Sequence, residues 1–233
     1  MPGVDSPDPS TQPDASPSLR DLSLAAFVGR LASDQPVPGG GSASAVAAGL
    51  GAALLAMVAR LSLGRPAYAE HEATIRAAVE RGPLLADRFL DLADADAAAY
   101  ARLAAAFRLP RGTAGEAEAR RTAVRAAARA AAEVPLACVE ACGELLRVAD
   151  ALAGRSNRNA ASDLAVASLL GEAAAEGAAR NVLTNLPFVE DEAFAAGARE
   201  RLDLLLAEIH ELGASVRRIV DAGERRPALA GAG

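Results

Sequence analysis

The sequence predicts an all-α protein, a single-domain bundle of roughly six to seven antiparallel helices over residues 18–223. Three observations carry this. Hydrophobic residues make up 52% of the 233 residues but aromatics only 3%. Alanine supplies most of the apolar total, so the best helix former is abundant and the strand-favouring β-branched and aromatic residues are scarce. Apolar positions recur at three- and four-residue steps along the long segments, and no stretch alternates with a period of two. A chain of this length can bury one sizeable core.

Residues 1–17 carry Pro2, Pro7, Pro9, Pro13 and Pro17 among polar residues and lack the apolar stretch of a signal peptide. They read as a disordered tail, and a cytoplasmic location is expected. Ser18-Leu19-Arg20-Asp21 has the form of a capping box. The helix it opens runs to about Ala32, with Leu24, Phe27, Val28 and Leu31 on its inner face.

Gln35-Pro36-Val37-Pro38-Gly39-Gly40-Gly41-Ser42 follows. Two prolines deny helix to the residues before them, and three glycines let another group approach the backbone closely. The run from Ser42 to Ala59 has no charge, so the glycines stand at a helix start, where unpaired N–H groups and a positive dipole end favour anions. Two readings are open: a stiff turn with Ser42 or Ser44 as N-cap, or one wall of a ligand site. The helix itself meets the crude length of a membrane span. Its composition of Ala, Gly and Ser, with no second such segment, favours a central buried helix, with Val46, Leu50, Leu54, Met57 and Leu61 on one side. No membrane partner is expected.

Gly64-Arg65-Pro66 breaks that helix, and the next runs from about Tyr68 to Leu109 with a possible kink at Gly82-Pro83. Phe89, Leu92, Tyr100, Leu103 and Phe107 share one face, and Asp96 falls in the same stripe, while Asp87, Asp91 and Asp94 lie on another. A carboxyl in line with core residues is partly desolvated and holds its proton to higher pH. The alternative is an ion pair with an arginine from a facing helix. After the turn Leu109-Pro110-Arg111-Gly112, Thr113-Ala114-Gly115-Glu116 forms a capping box, and Arg121, Arg125 and Arg129 make one stripe. Pro135 is expected to restart or kink the chain.

Beyond the polar turn Gly154–Asn159, a long helix lines up Asn159, Asp163, Asn181 and Asn185 on one side. Buried amides and acids cost ~1–3 kcal/mol each unless hydrogen-bonded, so they call for partners. Asp163 and Asn181 stand about 27 Å apart along such a helix. A last helix has the clearest period, Phe194, Ala198, Leu202, Leu205, Ile209, Leu212, Val216 and Ile219, and ends near Gly223, with residues 224–233 read as a flexible tail. The net charge of −6, without a basic patch interleaved with aromatics, excludes a nucleic-acid partner. Cys138 and Cys142 read as small buried hydrophobes, His71 and His210 are isolated, and no metal site is expected.

Four motifs, Pro36-x-Pro38-Gly39-Gly40-Gly41-Ser42, Asp94-x-Asp96-x-x-Ala99-Tyr100 with Leu109-Pro110-Arg111, Asn157-x-Asn159-x-x-Ser162-Asp163, and Asn181-Val182-x-x-Asn185-Leu186, together resemble the formiminotetrahydrofolate cyclodeaminase and methenyltetrahydrofolate cyclohydrolase family. The likeness runs from about Leu19 to Val220, with Ser156 where that family commonly has glycine. It implies a stand-alone homodimeric all-α enzyme of folate one-carbon metabolism. Its ligand would be a tetrahydrofolate derivative, with or without a polyglutamate tail, and it would need no other cofactor. The resemblance makes Asp96 the acid/base residue, with Asp163 in reserve. Asn157, Asn181 and Asn185 would meet the pterin edge, and Arg65 or Arg111 the glutamate carboxylates. Pro38, Gly39, Gly40, Gly41 and Ser42 would receive either the tail or the one-carbon unit. The expected reaction is the cyclodeaminase one, with the cyclohydrolase as alternative. A non-enzymatic helical scaffold would account for the alanines but not for Asp96 or the asparagines.

Overall fold

The computed structural model describes residues 18–229; the predicted tail at 1–17 lies outside them. Six α-helices form: α1 (Leu24–Leu31), α2 (Gly40–Ser62), α3 (Glu72–Phe107), α4 (Ala114–Leu152), α5 (Ala161–Asn185) and α6 (Glu192–Ala222), with short 3-10 turns ahead of α1, α3, α5 and α6 and no strand among the described residues. The all-α expectation holds.

Helices α2, α3, α4 and α5 occupy the four corners of a square: α2 packs on α3 and α5, α4 packs on the same two from the opposite corner, and α6 lies outside against α4 and α5. Consecutive helices are antiparallel, whereas α6 runs parallel to α4. Arg201–Glu140 and Arg147–Glu208 ion pairs mark that register. The core between the corners is mostly alanine, with Leu55, Ile75, Leu85, Phe89, Leu145, Leu146, Leu164 and Ile209 as its large members.

Alanine and glycine bring backbones close. A Cβ on Gly82 would meet Ala56 at 2.7 Å, and one on Gly51 would meet the Ala167 carbonyl at 2.9 Å. The small residues of α2, Ala45, Ala48, Ala52 and Ala59, face inward, while of the large residues grouped on one side Leu50 and Leu61 are exposed and Val46, Leu54 and Met57 half-buried. Bulky side chains at the points of closest approach would hold α2 off its neighbours, so small residues stand there, while Leu55 and Val58 are its large buried members. By length and composition α2 alone among the described helices could cross a membrane, yet more than half of that stretch is buried in the bundle.

Other expectations need revision. Ser18 does not cap a helix: its hydroxyl bonds Asp94, Leu19 N–H donates to Asp94 at 2.6 Å, and Arg20 pairs with Asp87 and Asp91. The acids on the second face of α3 thus clip the N-terminal segment onto the bundle. Only Phe27 of α1 is buried; Leu24, Val28 and Leu31 are exposed. The helix begins at Glu72, after a separate 3-10 turn at Pro66–His71. Pro83 and Pro135 both lie inside continuous helices.

The Thr113–Glu116 capping box forms as expected, and Gly223 ends α6 with the left-handed φ that glycine accepts. The arginine stripe of α4 pairs with Glu190, Asp191 and Glu133. Glu172 and Glu176 reach across to Arg217 and His210 rather than along α5. Residues 224–229, read as a flexible tail, make contacts: Arg226 N–H donates to Gly154 O and its side chain to Asp150, while Arg155 donates to Pro227 O at 2.6 Å.

Candidate active site

The four corners are not equally long. Helix α2 starts at Gly40, beside Asp96 of α3 and Asn181 of α5. Beyond that point α3 continues through Phe107, α4 spans the opposite side, and the fourth corner has no helix. A cleft of about 180 Å³ opens there, lined by Pro36, Gly39, Gly40, Gly41, Asp96, Tyr100, Ala131, Asn181, Thr184 and Asn185. The same geometry explains why the predicted stripe on α3 is split. Phe89 and Leu103 are buried, but Tyr100 and Phe107, on the stretch that α2 never reaches, are 47% and 37% exposed.

Asp96 is the titratable centre of the cleft. Burial raises its pKa above the ordinary carboxylate value; hydrogen bonds from the Ser42 hydroxyl and the Ser42 backbone N–H oppose this less strongly. Among the described residues no arginine pairs with it, so the ion-pair alternative does not apply. The loop of Pro36–Gly39, with a cis Val37–Pro38 bond, hands the chain to α2 with Gly39 as N-cap and no side-chain capping bond.

Ser42 and Ser44 are therefore not caps. The fully buried Ser42 hydroxyl lies 2.9 Å from Asp96 Oδ2 and 3.0 Å from the Ala93 carbonyl, and Ser44 donates to Gly40 O. Removing the hydroxyl takes a donor from ionised Asp96. Ser42→Ala is expected to raise the Asp96 pKa further and move the alkaline limb of a kcat/KM–pH profile upward. A fall of roughly tenfold in kcat/KM accompanies the loss of one charge-assisted hydrogen bond; an unmoved limb would make Ser42 a packing residue only.

Across the cleft, Asn181 Nδ2 donates to Gly177 O at 2.9 Å, and Asn185 Nδ2 donates to Ala131 O at 2.8 Å and to Asn181 O at 3.0 Å. The Ala131 carbonyl is the one that Pro135, four residues on and without an N–H, cannot serve. Asn185 fills that vacancy. Pro135 therefore does not break α4 but frees an acceptor that anchors a cleft side chain. With both amide nitrogens engaged, the amide oxygens of Asn181 and Asn185 are the groups left to accept hydrogen bonds from a ligand.

The other predicted site residues lie elsewhere. Asn157 is buried at the opposite end of α2, where its N–H donates to Ser62 Oγ at 2.8 Å, its Nδ2 to Leu61 O, and its Oδ1 accepts from Asn159 N. Asp163 sits in the first turn of α5, and Arg65 precedes the 3-10 turn at Pro66. Along α2 that end is about 30 Å from Asp96, so one chain does not bring these three into the cleft. Arg111 is exposed in the turn between α3 and α4, on the cleft's side of the molecule. Tyr100 and Thr184, absent from the expected set, line the cleft. Tyr100 was visible in the sequence as part of the Asp96 stripe but read there as core. Among the described residues no group of three His, Cys, Asp or Glu gathers to hold a metal. Cys138 and Cys142 are buried neighbours, and their contact and burial push the Cys142 thiol up.

A helical bundle with one carboxyl of raised pKa facing two amide acceptors across a narrow cleft has the parts that acid–base catalysis needs. A family model described as formiminotransferase-cyclodeaminase matches residues 23–204. A methenyltetrahydrofolate cyclohydrolase of Methylorubrum extorquens is 36% identical over 194 residues, 83% of this chain and 93% of that protein. The formimidoyltransferase-cyclodeaminase of Rattus norvegicus is 36% identical over 212 residues, 90% of this chain but 39% of that protein. A crystal structure of formiminotetrahydrofolate cyclodeaminase from Thermotoga maritima superposes with a TM-score of 0.80 at 28% identity, covering 88% of this chain and 98% of that one. The chain belongs to the formiminotransferase-cyclodeaminase family.

Proposed function

We propose that the protein is a formiminotetrahydrofolate cyclodeaminase, converting 5-formiminotetrahydrofolate to 5,10-methenyltetrahydrofolate and ammonia. The carrying observation is Asp96, a half-buried carboxyl with a raised pKa at the cleft floor, held by Ser42 and without a counter-cation. Its acid form protonates the formimino nitrogen. N10 then attacks the formimino carbon, and the carboxylate takes the N10 proton as the new C–N bond closes the ring. Passing that proton to the amino group lets the C–N bond break and ammonia leave, and solvent returns a proton to the carboxylate. One carboxyl whose pKa is raised by burial can give and take the proton in turn and so serves both directions of transfer. The amide oxygens of Asn181 and Asn185 accept from the N–H edge of the pterin.

The second reading is methenyltetrahydrofolate cyclohydrolase, favoured by the Methylorubrum enzyme whose length this chain matches almost throughout. There Asp96 would take a proton from the attacking water instead. Ammonia release from 5-formiminotetrahydrofolate, run beside hydrolysis of 5,10-methenyltetrahydrofolate, decides. Ammonia release at a kcat/KM at least tenfold above that for hydrolysis is expected; the reverse ratio makes the protein a cyclohydrolase, and inactivity on both overturns the assignment.

The working unit is a homodimer. Support comes from Leu50 of α2 and Val166 and Leu169 of neighbouring α5, large apolar residues left exposed, which favour a protein partner over water.

A further inference from the structure

We infer that the protein binds inorganic phosphate in a small cavity at the end of the bundle opposite the cleft, with the Arg158 and Arg225 guanidinium groups and the Ser156 hydroxyl donating to its oxygens and His71 Nδ1 accepting from its P–OH. The site is independent of the folate reading. Arg225 and Arg226 lie beyond residues 23–204, the span that the family model matches, so the site is built in part from residues outside that likeness.

The cavity is the first support. Three segments distant in the chain bound it: the 3-10 turn ahead of α3, the turn ahead of α5, and the stretch after α6. Its volume is about 40 Å³, where one water needs about 10–15 Å³, so it suits a small tetrahedral ion. Gly154, Ser156 and Arg158 also line an adjoining lobe of about 200 Å³, which gives a way in. His71 lines the cavity and is 5% exposed, and its Nδ1 is a buried polar atom with no partner among the described residues. Such atoms are rare because leaving them unpaired is costly. Burial holds the His71 pKa below the ordinary histidine value, with Glu70 opposing and Arg155 assisting, so the ring is neutral near pH 7. Glu70, the acid that lines the cavity, places Oε1 3.5 Å from Nε2 and draws the ring proton there. Nδ1 is then an acceptor, and it calls for a ligand that brings a proton.

Charge is the second support. Arg158 and Arg225 line the cavity and form no ion pair among the described residues, whereas Arg226 beside them is held by Asp150, and Glu224 of the adjoining lobe by Arg218. The buried Arg155 donates to the Ala151 and Pro227 carbonyls, which leaves its positive charge in the same neighbourhood. Helix α5 starts without a side-chain cap, and its first residue, Ala161, lines the lobe, so the positive end of its dipole adds to the field. An unpaired surface arginine is common; two of them on one cavity with a buried, unpaired acceptor single out this place. The combination selects the anion. Guanidinium groups need charged oxygens, and Nδ1 needs an O–H. Near pH 7 inorganic phosphate has both, sulfate and carboxylates have no proton, and a phosphate monoester has largely lost its own.

Calorimetric titration of the full chain at pH 7 with inorganic phosphate, sulfate, glycerol phosphate and glutarate tests this. The parent protein should bind phosphate at least about tenfold more tightly than the other three. Arg225→Ala, at an exposed position, spares the fold and should weaken phosphate by about tenfold. His71→Phe should bring the phosphate-to-sulfate ratio close to one, while His71→Asn, which can keep an acceptor at the δ position, should retain it. A purely structural His71 would leave that ratio unmoved in both. Should His71→Phe fail to fold, Arg225→Ala and the comparison of anions on the parent still decide. No phosphate binding, equal affinity for sulfate, or unchanged affinity in Arg225→Ala overturns the inference. Glycerol phosphate binding as tightly as phosphate overturns the choice of the free ion, and displacement of phosphate by tetrahydrofolate would move the anion to the cleft and overturn the site. None of these results bears on the folate reading.

Discussion

Asp96→Asn is expected to fold normally and to turn over neither folate substrate, with kcat at least a thousandfold below the parent. Asparagine keeps the shape of the carboxyl and can still accept from Ser42, so the cleft and its ligand contacts stay in place. What it loses is the exchangeable proton. The remaining candidate acid, Asp163, lies at the other end of α5 from Asn181 and cannot substitute within one chain.

Stability gives an independent readout with a definite sign. Burial raises the Asp96 pKa in the folded state, so the folded chain holds this proton more readily than the unfolded one. The stability it contributes is complete below the unfolded value of about 3.9 and is lost as pH rises through the folded value. Asparagine has no such loss. The Tm of the variant relative to the parent should therefore be lowest near pH 4 and rise toward pH 7. A variant that unfolds at every pH would mark Asp96 as a packing residue, and one that retains turnover would remove it from the mechanism.

Gly41→Ala should cost at least a hundredfold in kcat/KM while leaving a folded protein. A Cβ at Gly41 would stand under 3.0 Å from both carboxylate oxygens of Asp96 and from its Cγ. That approach is closer than real side-chain carbons make, so the carboxyl must swing out of its place beside Ser42. The strain costs about 1–3 kcal/mol, partly offset by alanine's better helix propensity of about 1 kcal/mol. Gly197→Ala is the matched comparison. It is an exposed position inside α6 with nothing within 4 Å of the added carbon, and it should raise stability by about 0.5–1 kcal/mol with unchanged kinetics. Equal kinetic behaviour of the two variants would remove the special role assigned to Gly41.

The helices and the chemistry-bearing residues were legible in the sequence for different reasons. Periodicity of three and four located α3, α5 and α6, because burial imposes it. It grouped Val46, Leu50, Leu54, Met57 and Leu61 on one side of α2 but could not say which way that side faces, because where backbones pack directly on one another alanines make most of the core. Asp96 stood out as an acid within an apolar stripe, and Gly39–Ser42 as a helix start. Nothing in one sequence shows that Asn181 and Asn185 share their cleft while Asn157, in a motif of similar look, ties a turn to α2 at the far end. Motifs record residue types, and the distance between them is set by how the helices run. Pro135 misled for a related reason. Its missing hydrogen bond was visible, but the side chain that replaces it comes from fifty residues downstream.

A cleft made by starting one helix late has a length that is counted in residues. Each turn added to the front of α2 would fill about 5.4 Å of the open corner, and each turn taken away would lengthen it by as much, with the other three helices undisturbed. The Pro36–Gly41 segment thus acts as the stop on a ruler. It sets how much of a long ligand the bundle admits, and the prolines and glycines hold that stop at the level of one carboxyl on α3.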